Sequence, residues 1–396
     1  MRLTEDSAET SSGSNAAGAM LYKGRLLSVE DRNGTRASAR GTVLVFMQDG
    51  PRHAWGRTLR FRSSLKESDT DARILLAFPG KNGITPGEWA SPLFRARSRA
   101  LDALRNRIAR MDDKTGALFA ALFLGIRDDL PAGLSDRFRK SGTIHILALS
   151  GMHVSILSGI LALALVPLLG KRRAFLTSLI IILIYGFLAG PKPSMLRACV
   201  MYAAGGMCLL RRERVDGLRI LFLSFFILVS ASPGMLRNLS FQLSFLAIFG
   251  ILTLGRWMDD LLRSRLPSFL RLPLCASFGA QAAVSPLAGW LFGALYPAGM
   301  ITSLLLSPLV LAFMWSGILL LVLPERLFLL WAVLNKFVNY LYDAMIMITG
   351  ISSLAPSLKV PALAGRLLVL FFTLTLAAGF LVRDRVFSAR LFRRAK

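Results

Sequence analysis

The chain has 396 residues, 54% of them hydrophobic, and a mean hydropathy of +0.54, which excludes an ordinary soluble enzyme. Its formal charge of +25 gives a water-facing surface suited to anionic lipid, to the positive-inside bias of cytoplasmic loops, or to a polyanion such as nucleic acid. Only three histidines and three cysteines occur, and Cys199, Cys208 and Cys275 all lie in apolar stretches without a CxxC or Cys/His cluster. Neither a metal centre, a cofactor nor a disulfide framework is expected.

Residues 1–18 are small and polar and predict a disordered tail; no apolar core follows Arg2, so no signal peptide is expected. Residues 19–92 carry short alternating or apolar runs (LYKGRLLSVE, TVLVFMQ, TLRFRS, RILLAFPG) between Gly, Pro, Asn and Asp turn signals. Four or five such strands predict a small β-rich domain, with an OB-like barrel as the best match. There Trp55, Arg57, Arg60, Phe61 and Arg62 interleave aromatic and basic side chains, as single-strand binders do. Half-buried strands with solvated arginines are the simpler account.

Residues 93–142 predict basic amphipathic and interfacial helices. Leu101, Leu104, Ile108 and Met111 recur at helical spacing among arginines, as in a helix lying on an anionic membrane. Gly116–Ile126 is apolar but too short to span, so it is expected to be interfacial or re-entrant. From 143 to 383 follows a transmembrane domain with spans near 143–170, 174–190, 194–210, 218–232, 239–255, 273–293, 298–323, 327–351 and 362–382. The class is therefore a polytopic α-helical membrane protein of about nine spans with a small N-terminal β-rich, OB-like domain. Residues 384–396 form a basic tail.

Four places concentrate polar groups in this apolar background, where such groups usually mark a pathway or a site. The stretch HILALSGMHV holds His145, Ser150, Gly151 and His153. On a continuous helix the two histidines, eight apart, would lie within about 80° of each other. A Ser150–His153 dyad could activate a hydroxyl, line a pore, or serve as structural hydrogen bonding, and no carboxylate accompanies it locally. The stretch GPKPSMLRA holds Lys192, Pro193, Ser194 and Arg197; with Arg237 its cations could ring an outer mouth for phosphates, or they could snorkel. Ser240, Gln242 and Ser244 alternate with Phe241, Leu243 and Phe245 in NLSFQLSFLAIFGI, and Asn335, Asn339 and Asp343 form a stripe at i, i+4, i+8.

These motifs resemble those of the ComEC-type DNA-uptake channels. Ser141, Gly142, Thr143, His145, Leu147, Ala148, Ser150, Gly151, His153 and Val154 follow the family's "sGtaHLLAiSGlHv". Pro193, Ser194, Arg197 and Ala198 follow "G.spSvlRA", and Asn238–Ile251 follows "SFQLSFlAv.gi". Gln281 and the Thr302–Pro308 segment also match, although Ser303 stands where asparagine is common.

The resemblance implies a multi-pass channel in the inner (cytoplasmic) membrane that passes single-stranded DNA during natural transformation. Membrane lipids and a separate DNA receptor, helicase or motor, and nuclease would be its partners. Many relatives carry a C-terminal metallo-β-lactamase-like domain with an H-x-H-x-D-H cluster. This sequence shows no such cluster, so no catalytic residues, no nuclease activity and no metal are expected. The alternatives are an intramembrane Ser/His hydrolase and a degenerate homologue transporting another anion.

Basic residues crowd alternate loops: Lys171–Arg173, then Arg211 to Arg219, then Arg256 to Arg271, then the tail. By the positive-inside rule a reporter fused at the C-terminus should be cytoplasmic and one near Gly50 external. Paired reporter fusions check this, and a cytoplasmic Gly50 fusion would remove the nine-span topology.

Overall fold

A computed structural model describes residues 1–3, 8–9, 19–30, 36–48, 55–61, 63, 65–67, 74–79, 84–127, 129–190 and 192–361. The chain divides into two compact units: Met1–Leu130 with Leu183–Lys192, and Pro131–Ile182 with Pro193–Lys396. The expected span at 362–382 and the basic tail lie outside the described residues, as do Gly50, His53 and Arg62.

The first unit begins with strands β1 (Arg2–Leu3), β2 (Ala8–Glu9), β3 (Ala19–Glu30), β4 (Arg36–Gln48), β5 (Arg57–Phe61), β6 (Leu65–Glu67), β7 (Ile74–Ala77) and β8 (Ile84–Trp89). Two short strands thus fall inside the expected disordered tail, because backbone groups there find partners on β3: Leu3 opposite Gly24, and Ala8 opposite Leu21. The sheet runs β6-β7-β4-β3-β1-β5-β8, with β2 also on β3. Its spine is the long antiparallel β3–β4 pair, and β4 takes β7 in parallel, Val43 opposite Leu75. Period-two alternation buries Tyr22, Gly24 and Leu26 and exposes Lys23, Arg25 and Leu27. Tyr22 and Leu26 join Leu3, Val43, Val45, Leu59 and Ile84 in one core.

Helices α1 (Pro92–Ile108) and α2 (Asp113–Phe123) follow. Leu101, Ile108 and Met111 are buried as the spacing requires, and α2 buries every residue from Thr115 to Leu122. The expected interfacial helix is thus enclosed by protein. Within this unit α1 and α2 hold the segment Leu183–Lys192 by long-range hydrogen bonds. Arg97 donates from Nε to the Phe187 carbonyl (2.9 Å) and from Nη2 to that of Leu188 (2.7 Å), while the Tyr185 hydroxyl donates to the Phe123 carbonyl (2.7 Å). A buried arginine is tolerable here because carbonyls at a helix C-terminus present the matching partial charge.

The second unit contains α3 (Leu134–Lys140), α4 (Ile144–Leu147) and the first part of α5 (Gly151–Ala189). It continues with α6 (Pro193–Leu210), α7 (Gly217–Ala231), α8 (Leu239–Gly250), a π-turn at Ile251–Gly255, α9 (Arg256–Leu262), α10 (Ser268–Phe292), α11 (Gly299–Val322) and α12 (Phe328–Ser352). Four segments among the described residues are long and apolar enough to cross a membrane: Gly151–Ala189, Pro193–Leu210, Leu239–Leu262 and Gly299–Val322; Gly217–Ala231 is a shorter apolar helix.

Although α5 is one assigned helix, it is not straight. Gly170 has φ 73° and ψ 162°, which no helix admits. A straight path from Gly151 to Ile182 would be about 46 Å at 1.5 Å per residue. Yet a Cβ on Gly151 would lie 3.8 Å from Ala198, and the Cys199 thiol reaches the Ile182 carbonyl at 4.0 Å. Both ends therefore meet one turn of α6. The chain folds back at Gly170, so the expected spans at 143–170 and 174–190 become two arms of a hairpin whose first arm starts at Gly151.

The helices pack through two kinds of contact. Phe225 of α7 meets Phe241 and Phe245 of α8, with ring centroids 5.7 and 5.4 Å apart, among buried Leu221 and Leu228. Where α8 meets α10, side chains are absent instead. A Cβ on Gly250 would collide with the Gly279 carbonyl oxygen, and one on Gly279 would lie 2.6 Å from that of Gly250. Small residues of this kind let apolar helices approach backbone to backbone.

Gly250→Ala or Gly279→Ala should lower stability by about 1–3 kcal/mol, the usual cost of overpacking, and reduce folded yield. Gly350→Ala, at a helical site with open space around it, should be neutral or gain about 0.5–1 kcal/mol. Thermal unfolding in detergent distinguishes the two groups.

Candidate functional site

The site is assembled around the break between α4 and α5. Upstream, α3 ends in a Schellman cap: the Thr143 N–H donates to the Phe138 carbonyl (2.8 Å) and the Gly142 N–H to that of Arg139 (3.0 Å). Gly142 has φ +74°, and a Cβ there would lie 2.7 Å from the Gly299 Cα, so α11 begins pressed against this turn. Ser141 and Thr143 are buried, and their hydroxyls pair at 2.6 Å. The first half of the histidine motif is thus a fastening between α3 and α11.

The chain then leaves helical geometry, with Ala148 extended at ψ 131°, before α5 starts at Gly151. This interruption removes the expected shared face of His145 and His153. His145 is exposed on α4, whereas His153 is 1% exposed. His153 instead closes on its own helix start: the Ser150 N–H donates to its Nδ1 at 3.1 Å, and Ser150 Oγ lies 3.3 Å from the same nitrogen. A backbone N–H can only donate, so Nδ1 is the acceptor and the neutral ring carries its proton on Nε2. This is one arm of a capping box, with His153 at the position where glutamate or glutamine usually reaches back.

Arg197, on α6, joins the three motifs. It is 3% exposed. Its Nη1 donates to the Ser244 carbonyl of α8, its guanidinium stands 5.7 Å over the Phe245 ring, and a Cβ on Gly151 would lie 3.4 Å from its Nη2. One turn earlier the Ser194 hydroxyl donates to the carbonyl of Leu149, in the broken segment. Pro193 opens α6, where its missing N–H costs nothing. Among the described residues, buried Arg197 Nε meets no hydrogen-bond partner.

The other expected site residues serve local structure. Gln242 donates to the Leu236 carbonyl (2.7 Å), beneath the Asn238 cap of α8, and Gln281 donates to that of Tyr296 (3.3 Å). The residues of the expected cationic ring stand in unlike settings and do not share one environment. Arg197 is buried and Arg237 exposed, and the Lys192 ammonium donates to the Gly125 carbonyl at 3.0 Å within the first unit. Nor is Trp55 a free stacking platform: it packs on Phe94 (4.9 Å) and Phe187 (5.7 Å), with Arg97 5.3 Å from its ring. Among the described residues, buried Ser303 Oγ, Trp315 Nε1 and Asn335 Oδ1 meet no hydrogen-bond partners. Sequence reasoning did not foresee the roles of the Leu149 and Ser244 carbonyls, since backbone acceptors leave no residue-type signal.

By class this is a helix-rich membrane protein behind a strand-rich N-terminal region. The sequence model of the Competence protein family matches residues 122–385, well over half of the chain, and the chain belongs to that family. It is 33% identical over 144 residues to ComE operon protein 3 of Bacillus subtilis (strain 168), covering 35% of this chain and 18% of that protein. It is 29% identical over 201 residues to an uncharacterized protein of Aquifex aeolicus (strain VF5), covering 50% of this chain and 46% of the other. The chain thus spans less than half the length of either curated relative. No solved structure matches it.

The cap geometry has a direct test. His153→Ala should cost about 1–2 kcal/mol by stranding the part-buried Ser150 N–H, and His153→Gln should recover much of that. Ser150→Ala, which keeps the N–H, should cost less than half as much. Chemical denaturation of the three variants in detergent measures the order.

Proposed function

We propose that the second unit forms a passive or gated conduit for single-stranded DNA across the cytoplasmic membrane during natural transformation. The observation that carries this reading is the convergence of three motifs, separated by up to about ninety residues of chain, on one buried arginine. Gly151, Ser194 with Arg197, and Ser244 form one constellation. A fold that only crossed a membrane has no need to desolvate a guanidinium. Membership of the Competence protein family supports the same reading.

In this proposal the chain has nine spans, and the strand-rich region is an OB-like domain outside the membrane that meets incoming DNA. The receptor, the motor and the nuclease are separate partners. The protein itself is not an enzyme. Ser150 and His153 are within 3.3 Å, but the imidazole lone pair that would take a hydroxyl proton already accepts the Ser150 N–H. That favours a structural pair over the hydrolase reading.

The test is complementation of a transformable host lacking its own homologue. Wild-type chain should restore labelled DNA uptake, Ser150→Ala should retain it, and Gly151→Leu, which would drive a side chain into Arg197, should abolish it while surface DNA binding persists. Purified protein should leave single- and double-stranded DNA intact with or without Mn²⁺ or Zn²⁺. Inactive Ser150→Ala beside active Gly151→Leu would install the hydrolase instead, and failure of the wild type would favour a homologue that carries another anion.

A further inference from the structure

The described residues of the second unit include a cavity of about 640 Å³, away from Arg197, between the α6–α7 loop and the π-turn leading into α9. Arg214, Arg219, Arg256 and Trp257 line it together with the apolar side chains of Leu218 and Leu252. Two carboxylates, Asp216 and Asp260, also reach it, so cations exceed anions by one. Asp216 is engaged: its carboxylate accepts the Leu218 N–H (3.0 Å) as the cap of α7 and stands 3.4 Å from Arg219. The start of α7 adds its own partial positive charge to the same place.

The walls continue into apolar surface. Arg219, Phe222 and Phe226 follow one another at i, i+3 and i+7 along one face of α7, and Phe222 and Phe226 are both exposed. Trp257, 60% exposed, is followed one turn later by exposed Leu261. Water alone would not favour this arrangement, in which arginines close one end of two exposed apolar stripes. An amphiphile with an anionic head would. Tryptophan with flanking arginine is also the side-chain pair favoured at the boundary between hydrocarbon and water.

We propose that this cavity is a binding site for an anionic phospholipid. The phosphodiester is held by Arg214, Arg219 and Arg256, the glycerol region packs on Trp257, and the acyl chains lie along the exposed face of α7. Arginine suits the role because its planar fork offers paired donors to phosphate oxygens. The same chemistry could read a free phosphate, but the apolar stripes assign the site to a lipid. The proposal is independent of whether the chain conducts DNA.

The full chain is reconstituted in nanodiscs of equal phosphatidylglycerol and phosphatidylcholine, and retained lipid is read by native mass spectrometry. Phosphatidylglycerol should be retained in preference. Arg219→Gln and Arg256→Gln, both at exposed positions, should each reduce that retention about tenfold, as loss of one charge-assisted contact predicts. Arg263→Gln, an exposed arginine outside the cavity, should leave it unchanged. In vesicles containing phosphatidylglycerol brominated on its acyl chains, wild-type tryptophan quenching should exceed that of Trp257→Phe. Equal loss in all three arginine variants would mean diffuse surface charge and overturn the site. Displacement of the lipid by excess inorganic phosphate would reassign it to a free anion, and displacement by a single-stranded oligonucleotide would reassign it to a polyanion. Either would overturn the lipid proposal.

Discussion

A guanidinium taken out of water must find acceptors and a polarisable neighbour, and Arg197 finds both in α8 while resting against the first residue of α5. This requirement constrains much else. Residue 151 has room for little beyond a Cβ, which would already touch the guanidinium at 3.4 Å. The Ser244 carbonyl of α8 must lie within reach of the guanidinium, and by helical spacing Gln242 cannot share a face with Ser240 and Ser244. The chain before Gly151 must be non-helical, so that the Leu149 carbonyl is free to accept from Ser194. Removing the charge would leave the Ser244 carbonyl without this donor, whereas removing that acceptor would leave a buried cation poorly solvated.

Close backbone contact supplies a second organising rule. In the α7–α8 layer, cohesion comes from interlocked phenyl rings; in the α8–α10 crossing it comes from the absence of side chains. Apolar helices gain little from excluding lipid, which is as greasy as they are, so dispersion at short range and interhelical hydrogen bonds must hold them. The Gly142–Gly299 contact uses the same device at the end of α3, and there the left-handed cap and the tight approach demand the same residue.

The sequence made some of this legible and hid the rest for identifiable reasons. Apolar runs located the helices well, since length and hydropathy are properties of the residues themselves; Gly217–Ala231 differs from the expected 218–232 by one residue at each end. The fold-back at Gly170 was readable from the Leu-Gly-Lys-Arg-Arg string, although its strand-like ψ was not. The angular relation of His145 and His153 failed because it assumed an unbroken helix, and the break at Ala148 is enforced by tertiary partners rather than by Pro or Asn. Arg197 looked like a flanking cation because sequence offers no sign of burial for a residue at a helix start. The aromatic–basic pattern near Trp55 was better read as structural than as a stacking platform, but its partners were hidden: Phe94 and Phe187, which occupy its ring, lie far along the chain.

The π-turn at Ile251–Gly255 has a consequence for how the two halves of its segment face. A π-turn holds one residue more than the α-helical path it replaces, so it acts as an inserted phase shift of about 100°. Before it, α8 presents Phe241 and Phe245 to its neighbours; after it, α9 turns Trp257 toward the arginine-lined cavity. Loss of a single residue anywhere in those five would restore ordinary α spacing and rotate everything downstream by that amount. Trp257 would swing away from Leu218, and Gly255 would leave its place beside the Cys275 carbonyl. The length of this segment, counted to the residue, is therefore as much a part of its chemistry as the side chains it carries.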